Sequence, residues 1–299
     1  DNARQRALHG TGSEIRFRLK SPTVKISIGA CEIVAQEHGG GLAQILFGDF
    51  SYTYFPVKHS IHEIEVTAPS YENLEQGAAG EFLFHPRLMR ILLPTHSVIS
   101  HLSIEGEIAP PQPGDVPSKR ALHYGSSITQ GSGSITSRED WASRCSHLLG
   151  ADLINLGFGG GCHCEPEMAD YLCERDDFDY AVLETGINML DLDPAIADTR
   201  IENLIRRFSE AHPDKPTFCL GVFPCGDDFR NPTNGRAQQI RELVRSTVAD
   251  IGAPHLHFID GKKALHYPRG MTVDLVHPSP AGMIEIGSYV AASIERTLS

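Results

Sequence analysis

Through the first third of the chain, apolar residues alternate with polar ones in short runs that glycine, proline, serine and asparagine separate. The runs are Glu14 to Leu19, Thr23 to Ile28, Cys31 to Ala35, Gln44 to Phe47, Ser51 to Val57, His62 to Thr67, Leu88 to Pro94 and Ile99 to Ile108. A period of two marks strands with one buried face, and no long stretch here has helical period. The pattern predicts an antiparallel β-sandwich. Four prolines then punctuate the polar segment Ala109 to Ser118, which suits a linker or a tight crossing between two units, 1–115 and 116–299.

Beyond that segment, buried-strand runs alternate with amphipathic ones. Arg120 to Ser126, Asp152 to Phe158, Asp179 to Thr185, Pro216 to Phe223 and Leu256 to Ile259 read as strands. Trp141 to Leu149, Glu165 to Arg175, Ala195 to Ala211, Arg236 to Ile251 and Pro280 to Leu298 read as helices. Such alternation predicts an α/β, three-layer unit with a parallel sheet between helices, preceded by the antiparallel sandwich. In open parallel sheets, ligands sit beyond the carboxyl ends of the strands. The polar residues singled out below all follow a strand or precede a helix, which gathers them at one edge.

Composition narrows the function classes. With 299 residues, 40% of them hydrophobic, the chain can bury a large core. A net charge of -12 with no Lys/Arg-rich block argues against a nucleic-acid surface. No apolar run is long enough to span a membrane, and Asp1 to Gly10 is polar. Seven cysteines cannot all pair, and their spacing gives no small secreted framework. Reduced thiols in a cytoplasm are the expectation, with secretion after removal of a signal left open. Cys162-His163-Cys164 lacks a second close Cys/His pair to complete a metal site, so neither metal nor cofactor is expected.

Two segments carry the chemistry. Tyr124-Gly125-Ser126-Ser127-Ile128-Thr129-Gln130-Gly131 offers a serine after a strand, and Asp274-Leu275-Val276-His277-Pro278 offers a base with its carboxylate. A serine hydroxyl is a weak nucleophile until an imidazole takes its proton, and that imidazole needs a carboxylate to fix its tautomer. Each residue also has a plainer reading. Serines after a strand cap helices, Asn188 and Asp274 suit caps or turns, and His277 suits a surface histidine. Gly157 to Gly161 imitates a dinucleotide loop, but Cys162 stands where that pattern needs glycine. His38-Gly39-Gly40-Gly41 imitates another oxyanion loop and reads as a turn.

Four blocks in order over residues 119–299 resemble the GDSL/SGNH hydrolase superfamily: Gly125 to Thr129, Asn155 to Gly160, Thr185-Gly186-Ile187-Asn188 and Asp274 to His277. The resemblance implies Ser127, Asp274 and His277 as a catalytic triad, and the amides of Ser127, Gly160 and Asn188 as an oxyanion hole. Two positions depart from it: the usual aspartate before the nucleophile is Ser126, and the usual one after the third-block asparagine is Met189. The preceding sandwich resembles that of a branch containing esterases, some acting on carbohydrates, and acyltransferases of natural products. The resemblance therefore implies a serine esterase acting on a small or medium acyl ester. Acyl transfer to a hydroxyl shares the acyl-serine and stays open, as does a carbohydrate-binding protein on the same fold. Tyr52, Tyr54, Phe55 and Tyr71 could stack on sugars, but strand alternation favours packing.

Overall fold

The structure, a computed structural model, describes residues 2–33 and 42–299, so His38 to Gly41 lies outside the described residues. Its N-terminal part runs α1 (Asn2–Arg6), β1 (Glu14–Leu19), β2 (Thr23–Ile33), β3 (Leu42–Phe47), β4 (Phe50–Pro56), β5 (His62–Thr67), α2 (Tyr71–Ala78), β6 (Leu88–Leu92), β7 (Ser97–Glu105) and β8 (Ile108–Ala109). Two antiparallel sheets form, one ordered β4-β3-β6-β1-β8 and one β5-β2-β7. Between them, Phe17, Val24, Ile26, Ile28, Ile45, Phe47, Met89 and Ile91 make the core. Alternation along β1 and β2 supplies these inward residues.

Three elements differ from the sequence pattern. Thr23 to Ile28 and the run from Cys31 form one strand, because register shifts at Gly29/Ala30 and Ala30/Glu32 let β2 stay paired with β7 through the irregular stretch. The run Ile99 to Ile108 is cut into β7 and β8, with Gly106 between them at φ +149°. The helix α2 carries Tyr71, Leu74 and Ala78 at helical spacing over 8 residues, too short a run to stand out among the strands, and its start is fixed by Ser70 accepting from Asn73 N. Of the four aromatics weighed as a platform, Phe55 is in the core, while Tyr52 and Tyr71 each pack edge-on to Phe47. Packing accounts for those three.

The second part runs β9 (Lys119–Gly125), α3 (Ser127–Gln130), α4 (Trp141–Leu148), β10 (Ala151–Gly157), α5 (Pro166–Glu174), β11 (Tyr180–Glu184), α6 (Pro194–Ala211), β12 (Thr217–Leu220), α7 (Gly226–Arg230), α8 (Arg236–Ile251), β13 (Leu256–Ile259) and α9 (Pro280–Leu298). All five strands are parallel, in the order β10-β9-β11-β12-β13. Successive connections leave β9 in opposite directions, to β10 on one side and β11 on the other. A crevice opens at the carboxyl ends where such a reversal occurs. Ser127, Gly160 and Asn188 follow β9, β10 and β11 respectively, so the strand order alone gathers them there.

The sandwich meets this sheet through a polar face. On β1, Phe17 and Leu19 point into the sandwich core while Glu14, Arg16 and Arg18 occupy the alternate positions. Arg16 donates to both carboxylate oxygens of Asp152 on β10, at 2.6 and 2.7 Å. Arg90 on β6 grips Glu14 in the same two-bond fashion, at 2.8 and 2.5 Å. Burial pulls the Glu14 carboxyl upward, but the charges and bonds of Arg90 and Arg16 outweigh it and hold its pKa at about 2. Arg18 holds the buried Asp115, which ties the proline-rich segment to the sandwich.

Candidate active site

The nucleophile candidate sits at a strand-to-helix turn. Ser126 is extended and caps α3, its Oγ accepting from Ile128 N at 3.2 Å. Ser127 follows as the first helical residue, where a backbone N–H has no intrahelical acceptor. Its Oγ lies 2.8 Å from His277 Nε2.

The base arrives on the loop before α9. Asp274 Oδ2 accepts from His277 Nδ1 at 2.7 Å, so Nε2 is left as the acceptor facing the serine hydroxyl. The other oxygen, Oδ1, accepts from Val276 N at 2.8 Å, from His277 N at 3.0 Å and from Thr272 Oγ1 at 2.6 Å. Burial works against the ionised carboxylate, but the bonds from His277, Thr272 and the two backbone amides hold Asp274 far below the usual carboxylate range. Leu275 takes a left-handed φ of +58° to close this turn. Its carbonyl accepts from Gly226 N at 2.6 Å, which pins the base loop to the segment after β12.

Gly160 and Asn188 complete the edge. Gly160 is exposed with φ +64°, a conformation that glycine adopts without strain. Asn188 stands in a short 3-10 turn after β11, and its Oδ1 accepts from Cys162 N at 3.3 Å. That bond uses the acceptor end of the amide, so the remaining Nδ2 is a pure donor. Backbone and side-chain N–H groups of this kind, fixed before reaction, stabilise a tetrahedral oxyanion. The structure thus brings together Ser127, Asp274 and His277 by direct bonds and sets Gly160 and Asn188 at the same strand ends.

Several neighbours escaped the sequence reading. Glu184, wholly buried at the end of β11, accepts at one oxygen from Ser126 N, Ser126 Oγ and Thr129 Oγ1. A charge ending the apolar run Tyr180 to Leu183 was the available signal. Gln130 on α3 is also fully buried, and its Oε1 accepts from Gly159 N at 2.8 Å. Its Nε2 reaches His9, Thr11 and Thr95 of the N-terminal part, at 2.9, 3.0 and 3.3 Å. Only the folded partner surface could reveal that role. Cys162 and Cys164 are buried, Cys162 Sγ lying 3.7 Å from Glu184 O, and no metal-binding group of His, Cys, Asp or Glu occurs among the described residues. The loop from Pro224 to Asn234 carries α7. Phe229 is exposed and lies edge-on to Tyr267, while Cys225 is buried in the core and its backbone N–H donates to Asp228 Oδ2 at 2.9 Å.

A parallel α/β sheet that holds a Ser–His–Asp relay at its carboxyl edge defines the class of acyl-transferring serine enzymes. The family model described as the GDSL-like Lipase/Acylhydrolase family matches residues 123–283, more than half of the chain, and the chain belongs to that family. It is an ester-hydrolysing or acyl-transferring enzyme. Among solved structures, a GDSL-like lipase from Bacteroides ovatus ATCC 8483 is 18% identical at TM-score 0.78, over 99% of this chain and 88% of that one. A salicylyl-acyltransferase from a tetracycline biosynthetic pathway is 19% identical at TM-score 0.74, over 99% and 85%. A family two carbohydrate esterase from Clostridium thermocellum, in complex with cellohexaose, is 16% identical at TM-score 0.63, over 95% and 91%. At these identities the likeness is one of fold, and it spans both parts of the chain. No curated protein gave a significant match.

Proposed function

We propose that the protein is a serine esterase that cleaves a small or medium acyl ester through an acyl-serine, built from a sandwich unit of residues 1–115 and a catalytic unit of residues 116–299. The observation that carries this reading is the continuous relay from Ser127 Oγ through both ring nitrogens of His277 to Asp274, at 2.8 and 2.7 Å. In it, Ser127 attacks the ester carbonyl while His277 Nε2 takes the hydroxyl proton, and Asp274 stabilises the charged ring without being protonated. The N–H groups of Ser127 and Gly160 and the Asn188 amide receive the developing oxyanion. His277 then gives its proton to the leaving alcohol, and water activated by the same ring releases the acid. Val273 and Leu275, exposed on either side of Asp274, offer apolar surface suited to a hydrocarbon acyl group.

Acyl transfer differs only in the second acceptor, an alcohol in place of water. The fold shared with the salicylyl-acyltransferase keeps that second reading alongside the first. An acylated carbohydrate is among the esters this site would be offered, since a carbohydrate esterase shares the same two-part fold.

The test is labelling by a fluorophosphonate, which reports an activated serine without the natural substrate. Peptide mapping is expected to place the label on Ser127 alone, and Ser127→Ala to abolish it. Absence of label on a folded sample would remove Ser127 as the activated nucleophile. Product partitioning between water and an added alcohol then separates hydrolysis from transfer.

A further inference from the structure

The turn that presents Ser127 lacks the aspartate usual before the nucleophile in the family, yet a carboxylate is present behind it. Glu184 comes from β11, the neighbour of β9 in the sheet, and reaches the turn from the side rather than from within it. Its Oε2 accepts from Ser126 N at 2.7 Å, from Ser126 Oγ at 2.7 Å and from Thr129 Oγ1 at 3.0 Å. The Ser126 hydroxyl works in two directions, donating to Glu184 and accepting from Ile128 N. A single oxygen therefore fixes both flanks of Ser127.

Such a group is costly to keep for packing alone. Glu184 is fully buried, and its second oxygen, Oε1, has no hydrogen-bond partner among the described residues. Burial, only partly offset by the bonds from Ser126 and Thr129, raises its pKa to about 7. A glutamine or an apolar residue would fill the same space without a buried carboxyl. What neither reproduces is one concentrated acceptor for three converging donors.

We propose that Glu184 is the positioning residue of the nucleophile turn, supplying from the adjacent strand the carboxylate brace that Ser126 cannot supply from within it. The inference rests on Ser127 being the nucleophile. Serine at 126 and glutamate at 184 then form one functional pair: the hydroxyl caps α3, and the carboxylate holds the hydroxyl. Displacement of Ser127 Oγ by even about 1 Å from the imidazole and the oxyanion donors is enough to cost roughly 10²-fold in rate.

The experiment compares wild type, Glu184→Ala, Glu184→Gln, Ser126→Asp and the exchanged pair Ser126→Asp/Glu184→Gln. Each is read by the rate of fluorophosphonate labelling, by kcat and KM on p-nitrophenyl acetate, and by hydrogen exchange of the peptide spanning 124–132. Glu184→Ala is expected to lower labelling rate and kcat about 10²-fold with KM little changed, since positioning acts in the transition state. Its turn amides should exchange faster. Ser126→Asp alone should fall as far, because two buried carboxyls then face one another. The exchanged pair should recover most of both the rate and the protection. A folded Glu184→Ala with wild-type labelling and exchange would overturn the proposal. So would an exchanged pair no better than Glu184→Gln, a comparison that stands even if the alanine variant does not fold. Wild type that never labels, with exchange that still responds to Glu184, would instead remove Ser127 as nucleophile and leave the brace in place.

Discussion

At the scale of single residues, the site is a set of short bonds around two side chains. Asp274 matters because it selects the ring tautomer: with Nδ1 donating to Oδ2, Nε2 must accept from the serine. Replacing Asp274 by asparagine keeps the shape but lets an amide N–H confront Nδ1, turning the ring's proton toward Ser127. A loss in kcat of about 10³–10⁴-fold is expected, with thermal stability changing much less, and steady-state kinetics beside a melt would check it. Bonds from His277, Thr272 and two amides keep Asp274 ionised well into acid, so the imidazole's carboxylate partner stays charged across the neutral range. These candidates were legible in the chain because their blocks stand in the order and spacing that the family resemblance implies. Glu184 and Gln130 were not, since one carboxylate and one amide carry no motif and acquire their meaning from strand neighbours.

At the scale of elements, strand order does most of the positioning. The runs that became β9 to β13 and the long helices were readable, because buried parallel strands are continuous apolar segments and amphipathic helices carry their own period. The short helices α3 and α7 were not, since four or five residues hold little more than one turn of pattern. Yet α7 lies in the segment that supports the base. On α8, Arg241 is buried and donates to Val222 O at 2.7 Å, Phe223 O at 2.9 Å and both oxygens of Asp228 at 2.6 and 2.8 Å. It thereby holds the segment whose Gly226 N bonds Leu275 O beside His277. Arg241→Met should cost roughly 3 kcal/mol, because removing one partner leaves Asp228 and two carbonyls short of donors. Denaturant unfolding would measure that cost, and labelling of Ser127 should slow in the fraction that stays folded.

For the whole molecule, the least legible feature was the contact between the two parts. Glu14, Arg16 and Arg18 alternate with apolar residues just as a solvent-facing edge would, and nothing local says that a second sheet covers them. The structure turns that stripe into a half-buried charged interface, with Asp152 as the far partner of Arg16. Stability should follow. Glu14 has a folded pKa near 2 against an ordinary 4.5, so its contribution is complete above about pH 4.5 and is lost as the pH falls toward 2. On the order of 3 kcal/mol is involved. Glu184 acts with the opposite sign: folding holds its proton up to about 7, so its burial costs stability as the pH rises from 4.5 through 7. Unfolding measured at pH 3 and pH 6 should show a smaller difference for Glu14→Gln than for wild type, and equal differences would refute the assignment.

The bidentate bonds of Arg16 to Asp152 and the reach of Gln130 to His9, Thr11 and Thr95 also decide how the molecule comes apart. Neither part can melt without exposing charges or amides that the other had satisfied. Scanning calorimetry should therefore trace one peak of heat absorption rather than two, and an inhibitor bound covalently at the serine should move the melting of the sandwich along with its own.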